Sequence, residues 1–274
     1  MPGRSDPPYV LGHDERELER LALQARYWGD FTLEVFRRAG IGPGMRVLDL
    51  GSGAGDVALV AGELVGPTGS VLGLDRSPEG VARASARARA AGAAHVRFAV
   101  SDLHEVNEPG PFDAIVGRFI LMYFRDPADV LHRLVRLLRP GGAAAFIELH
   151  LGGRCVPPTP ETDAASRWVF ETIERSGVAV DMGPRLWQVF RAAGLPDPEM
   201  ALHQKVEPPP ASAGVRYLTE TIRSLLPMME RLGVATAAEV DVETLAPRLE
   251  RALTSAQSTF LSPRVVGAWS RLPG

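Results

Sequence analysis

The chain has 274 residues, enough to bury a full core as one large domain, with 45% hydrophobic residues, 23% charged residues and a formal net charge of -3. That balance gives no reason to expect nucleic acid or an acidic membrane surface as a partner. The single cysteine, Cys155, excludes an internal disulfide and a cysteine-cluster metal site, and no apolar run approaches the length of a membrane span. No basic-then-apolar leader opens the sequence, so a cytoplasmic protein is expected. Of the 30 basic residues only Lys205 is lysine, which, with abundant Ala, Gly and Pro, suggests a GC-rich bacterial genome.

Residues 1–12 are rich in Pro and Gly and read as extended. Asp14-Glu15-Arg16-Glu17 has the form of a capping box, and Leu18, Leu21, Ala22, Ala25 and Trp28 then fall on one helical face. A second helix is expected near Phe31–Ala39, ending at the breaker cluster Gly40–Gly44. The apolar run Val47–Leu50 predicts a buried strand, Gly51-Ser52-Gly53-Ala54-Gly55 a tight turn, and Val57 onward a helix. Val71–Asp75 predicts strand two, Ser77-Pro78 a capped helix start, and Val96–Val100 strand three. Strand four is Phe112–Val116, followed by Gly117-Arg118-Phe119-Ile120. A helix opens at Asp126-Pro127, and strand five, Ala143–Leu149, follows the turn Arg139-Pro140-Gly141-Gly142.

Beyond Gly152, Pro157, Pro158 and Pro160 read as a stiff connector, and Ser166–Arg175 as a helix. Another helix starts at Asp181–Arg185, strand six spans Glu199–Val206, and helices near Arg216–Leu232 and Thr244–Leu253 precede a last strand, Val265–Trp269. Met182, Trp168, Trp187, Met228 and Met229 read either as pocket lining or as plain core.

The glycine spacing is Gly51-x-Gly53-x-Gly55, with Asp56 where dinucleotide binders place a third small residue. A nucleoside without a pyrophosphate suits such a turn, and a nicotinamide oxidoreductase does not. Asp49, Asp75 and Asp102 stand at three successive strand ends, where carboxylates can accept from ribose hydroxyls or an adenine amino group. On these residues the chain resembles the class I S-adenosylmethionine-dependent methyltransferases, in the broad group similar to ubiquinone/menaquinone-type enzymes. The resemblance runs from about Tyr9 to Trp269 and is most specific between Met45 and Leu149. It implies an α/β, Rossmann-like, seven-stranded doubly wound sheet with helical lid segments. Residues 1–40 would be a lid, 41–150 the cofactor-binding core, and 151–274 the remaining sheet with insertions that build the acceptor pocket. It also implies that Asp49, Gly51, Ser52, Gly53 and Gly55 line the methionine end of the cofactor. Asp75, with Arg76 beside it, would hold the ribose, and Asp102 with Leu103 would frame the adenine. Tyr9 and Gln24 match the family's N-terminal pattern and are candidates for touching cofactor or acceptor. Arg118 either reaches the cofactor or braces a loop acid.

Methyl transfer from a sulfonium needs alignment and exclusion of water, and a base only where the nucleophile is protonated. Glu148 and His150 share a face at the end of strand five, and His150, His203 or His13 is a candidate base. The competing reading is that His150 orders a loop and Glu148 satisfies backbone groups. Glu148 and His150 lack a third ligand at recognisable spacing, so no metal is expected. The expected reaction is transfer of methyl from S-adenosylmethionine to a small-molecule acceptor, a secondary metabolite, at O or N, by a monomer or homodimer, with S-adenosylhomocysteine as product. The alternative is a methyltransferase-like cyclase or isomerase that binds the cofactor without methyl transfer; a non-catalytic partner-binding subunit is a third reading.

Overall fold

The computed structural model describes residues 6–7, 15–106, 108–152 and 155–274, the side chains of residues 15–19 and of Ala22 excepted. In chain order the elements are α1 (Glu15–Arg38), β1 (Arg46–Leu50), α2 (Asp56–Val65), β2 (Ser70–Asp75), α3 (Pro78–Ala90), β3 (Val96–Val100) and β4 (Phe112–Arg118). A 3-10 turn (Leu121–Tyr123) leads to α4 (Pro127–Val135), β5 (Leu138–His150), α5 (Pro160–Arg175), α6 (Met182–Ala192) and β6 (Glu199–His203). Then come β7 (Val206–Glu207), α7 (Ser212–Arg231), α8 (Ala237–Val240), α9 (Val242–Ser255), β8 (Phe260–Leu261) and β9 (Arg264–Arg271).

The chain divides into two compact units, an α/β unit of residues 28–148, 182–202 and 266–274, and a helical unit of residues 1–27, 149–181 and 203–265. In the α/β unit the seven-stranded sheet has the order β3-β2-β1-β4-β5-β9-β6. The first five of these pair in parallel. Register places Leu50 beside Leu74 and Asp75 beside Val100, so the carboxyl ends of β1, β2 and β3 form one edge. That edge is where open parallel sheets take ligands. The strands are apolar runs because both faces are covered: Val47, Leu48, Leu74, Phe112, Ile115 and Phe146 are all buried. Two helices open where the sequence signals them. The Ser77 hydroxyl accepts from the Gly80 N–H, and the Asp126 carboxylate from the Asp129 N–H.

In the helical unit, α5, α7 and α9 pack on one another, and β7 and β8 form a two-stranded antiparallel sheet. Helix α5 opens on a capping box in which Thr159 and Thr162 satisfy each other's backbone N–H groups.

Several boundaries differ from the sequence expectation. The two expected N-terminal helices are one continuous helix of 24 residues, because Trp28 and Phe31 are both buried and hold the stretch around Gly29 helical. Helix α5 begins at Pro160, six residues before Ser166, since proline is tolerated at the first helical position. Strand β5 already includes Arg139–Gly142, and the expected sixth strand divides into β6 and the short β7. Met182, Met228 and Met229 are core, whereas Trp187 stands exposed. The proposed cap Asp14 lies outside the described residues.

Candidate cofactor site

Strand β1 ends in a turn that only glycine builds without strain: Gly51, Gly53 and Gly55 have φ of 65°, 50° and 88°. The turn is pinned by Ser52 N–H donating to the Leu74 carbonyl (2.9 Å) and Gly55 N–H to the Ser52 carbonyl (2.7 Å). Helix α2 starts at Asp56 directly behind it, and Asp56 is tied to Arg87 of α3 at 2.6 Å. The three glycines do different things. A Cβ on Gly51 would come within 2.4 Å of Ile120 Cδ1, and one on Gly55 within 2.8 Å of Phe98 Cζ. A Cβ on Gly53 would meet nothing within 4 Å. Gly53 therefore borders open space.

Asp75 at the end of β2 faces this turn. One of its oxygens accepts from Gly53 N–H (2.8 Å) and the other from Ser77 N–H (2.9 Å). Each carboxylate oxygen has a second acceptor direction, so two hydroxyls can still be received. Arg76 is exposed beside it. Past β3, Asp102 is exposed and caps a turn through the His104 N–H (2.8 Å), while Leu103 is buried. Asp102 and Leu103 thus reach the same sheet edge as the glycine turn.

Two polar groups are buried beside the turn: Asp49 at the end of β1, which has no exposed surface and faces the Ala58 N–H, and the Ser52 hydroxyl, which has no hydrogen-bond partner among the described residues. Burial drives the Asp49 carboxyl well above the ordinary carboxylate range, with Asp75 and Asp56 adding to the rise; Arg118 and the Ala58 N–H pull the other way. Arg118 is itself buried, donates to Thr32 Oγ1 (3.0 Å), and acts electrostatically on Asp49. It thus stands against an acid of strand β1. An open glycine turn with an acceptor carboxylate beside it suits a polar, nucleoside-like ligand.

Strand β5 carries Glu148 and His150 near its end. Glu148 is completely buried; its Oε1 accepts from Ile120 N–H (2.9 Å) and Leu121 N–H (2.7 Å). Burial pushes its carboxyl up to about 8, against the lowering effect of the Leu121, Ile120 and Met122 N–H groups. The native state thus holds a proton that the unfolded chain releases near 4.5. Stability is therefore lost as pH rises from that value through about 8. Glu148→Gln, which has no proton to lose, is expected to flatten this dependence. Thermal melts across that pH range would show it as a gap between variant and wild type that widens with pH; a constant gap would contradict it.

His150 belongs to the helical unit, where burial and then Arg264 hold its pKa below the usual value, against the raising effect of Asp181. Arg264 Nη2 lies 3.5 Å from its Nε2. Burial and Arg264 thus favour the neutral imidazole, the form that can take a proton. His203 closes β6 and is half-buried. Gln24 also belongs to the helical unit; its side-chain carbonyl accepts from Arg20 Nη1 (2.8 Å) and Tyr217 OH (3.5 Å). Tyr217 stacks on Tyr27 with ring centroids 5.0 Å apart, and Tyr27 OH donates to Glu207 (2.7 Å). Gln24 is thus engaged in an internal polar network. Tyr9 and His13 lie outside the described residues. No group of three or more His, Cys, Asp or Glu among the described residues is placed to hold a metal ion.

Sequence reasoning missed Thr32, Phe119 and the role of Ile120. Phe119 has φ of 56°, a left-handed conformation for a non-glycine residue, and nothing in Gly-Arg-Phe-Ile announces it. Gly117 inside strand β4 was the available signal, because glycine in a strand often marks a close approach.

An arsenite methyltransferase of Aquipseudomonas alcaligenes is 39% identical over 119 residues, covering 40% of this chain and 34% of that protein. A 2-phytyl-1,4-naphtoquinone methyltransferase of Synechococcus elongatus is 38% identical over 110 residues, covering 39% of this chain and 47% of that protein. The chain therefore spans less than half the length of either curated relative. Among solved structures, phosphoethanolamine N-methyltransferase 2 of Haemonchus contortus, in complex with S-adenosylhomocysteine, superposes with a TM-score of 0.56 at 18% identity, over 93% of this chain and 58% of that one. The [4+2]-cyclase SpnF superposes with 0.53 at 20%, over 89% and 82%. Both share the fold. The family model for the methyltransferase domain matches residues 41–178, half of the chain and the stretch that holds the glycine turn, all three strand-end acids and Glu148; the chain belongs to that family.

Proposed function

We propose that this chain transfers a methyl group from S-adenosylmethionine to a small-molecule acceptor and releases S-adenosylhomocysteine. The observation that carries the reading is the open space at Gly53, beside which the Asp75 carboxylate accepts the Gly53 N–H. These residues fit the cofactor: Asp75 would receive the ribose hydroxyls, Asp102 and Leu103 the adenine, and the Gly51–Gly55 turn with Asp49 and Ser52 the methionine end. When bound, the sulfonium supplies an activated methyl group. The chain's own task is then alignment and dryness, and alignment alone can be worth about 7–11 kcal/mol. His150, neutral and half-buried, would take a proton from an acceptor hydroxyl or amine.

The acceptor would bind in the helical unit. That unit contains a cavity of about 690 Å³, lined by Leu151, Thr162, Arg167, Phe170, Leu218 and Phe260 among others. The size suits a metabolite-sized molecule, and the mixed lining suits one with both apolar and polar parts. A secondary metabolite methylated at O or N matches this. The arsenite of the one relative does not, because a single cysteine cannot gather several thiolates. The net charge of -3 argues against nucleic acid.

Incubation with methyl-labelled cofactor and a panel of hydroxyl, amine and carbon acceptors, with detection of S-adenosylhomocysteine, tests the reading. Cofactor binding with no transfer to any acceptor would favour a cyclase-like use of the site. Phe170→Trp, which fills the cavity, is expected to raise acceptor KM roughly tenfold, the equivalent of about 1.4 kcal/mol. Affinity for S-adenosylhomocysteine should not change. An unchanged KM would remove the acceptor from this cavity.

A further inference from the structure

The 3-10 turn after β4 has no long element of its own to hold it, yet the residues that lead into it take up a demanding conformation. Phe119 sits at φ 56° with its N–H donated to the Ile147 carbonyl (2.8 Å), and its ring meets Trp28 edge-on at 6.4 Å. A non-glycine residue in that region costs about 1–3 kcal/mol and persists only where its surroundings over-determine it. Ile120 follows, and its side chain occupies room that two glycines leave. A Cβ on Gly51 would fall 2.4 Å from its Cδ1, and one on Gly117 would fall 2.8 Å from its Cγ2. One isoleucine is thus wedged between the cofactor turn and strand β4. The backbone around that wedge is tied down from β5, where Glu148 Oε1 accepts both the Ile120 and the Leu121 N–H.

We propose that Glu148 is a positioning residue, which holds the Phe119–Leu121 turn so that Ile120 props the Gly51–Gly55 turn in its ligand-accepting shape. This rests on the reading of that turn as the cofactor site. Glu148 is enclosed on every side, so it cannot reach an acceptor, and its carboxyl faces the backbone N–H groups of Ile120, Leu121 and Met122. The donors it serves are backbone N–H groups, which need an acceptor oxygen and not a charge. A glutamine therefore supplies what is required, and an isosteric apolar residue does not.

The test uses the full chain and S-adenosylhomocysteine as probe. Glu148→Gln is expected to bind within about threefold of wild type, because its amide oxygen still accepts both N–H groups. Glu148→Leu should lose roughly tenfold or more, with faster hydrogen exchange at the Ile120 and Leu121 amides in the ligand-free protein, because both buried donors are then unsatisfied. Ile120→Ala, which leaves Glu148 in place, should lose a similar factor while those two amides stay protected. If Glu148→Leu fails to fold, the pair Glu148→Gln and Ile120→Ala decides: full binding by Ile120→Ala overturns the proposal. Loss of binding in Glu148→Gln with protected amides overturns it too, since the carboxylic acid itself would then be needed. Should wild type bind no S-adenosylhomocysteine, the cofactor reading fails. The exchange rates of Glu148→Leu or, where it does not fold, of Glu148→Gln then judge the positioning role: unprotected amides in the former, or protected amides in the latter, uphold it, and the reverse overturns it.

Discussion

Gly53→Val is expected to leave the chain folded and to abolish binding of S-adenosylhomocysteine. The fold itself has room for the new side chain, since a Cβ there meets no heavy atom within 4 Å. The cost to stability is conformational, because φ at this position is 50° and a β-branched residue resists it. That strain is about 1–2 kcal/mol, a loss of a few degrees in melting temperature for a chain of this size. The cost to binding is larger, because two methyl groups stand in the space the ligand needs. A loss of roughly hundredfold or more, about 2.7 kcal/mol, follows. Gly53→Asn separates the two effects, as asparagine accepts the left-handed region readily yet still fills the space. Gly51→Ala should behave in the opposite order and lose stability first, because its Cβ would collide with Ile120. Calorimetric titration beside thermal melts checks all three. Normal binding by Gly53→Asn would move the ligand away from this turn.

The parts of this fold legible in the sequence are those where one local signal suffices. Strands β1, β2 and β4 are apolar runs with Gly, Asp or Pro at their ends, and Ser77 and Asp126 announce their helices by cap chemistry. The order of glycines and acids carried the nucleoside reading because each lies at the end of a run. What escaped was decided by contacts far apart in sequence. Gly29 breaks no helix, because burial of Trp28 and Phe31 outweighs the roughly 1 kcal/mol that a helical glycine costs. Pro160 reads as part of a stiff connector until Thr159 is seen to cap the helix behind it. Pro227 sits inside α7 and does not end it. In the site, the pairing of Glu148 with the backbone of Ile120 and Leu121 joins residues 28 and 27 positions apart. No spacing rule connects them; only the parallel pairing of β4 with β5 does.

Asp75→Ala carries the second large effect, and the structure enlarges its reason. The carboxylate does two jobs at once: it anchors the glycine turn through Gly53 N–H and the start of α3 through Ser77 N–H, and it would receive the ribose. Hydrogen bonds to charged groups contribute about 1.5–3 kcal/mol, so affinity for S-adenosylhomocysteine should fall at least roughly tenfold to a hundredfold. Asp75→Asn should recover little, because an amide has one acceptor oxygen and its NH2 would face one of the two donors. Anchoring and ribose binding are separated by a ligand change. In wild type, removing the ribose 2′-hydroxyl from the probe should weaken binding. In Asp75→Ala the two probes should bind alike, since the acceptor that distinguished them is gone. If the variant still discriminates between them as wild type does, Asp75 serves the turn alone and the ribose is held elsewhere.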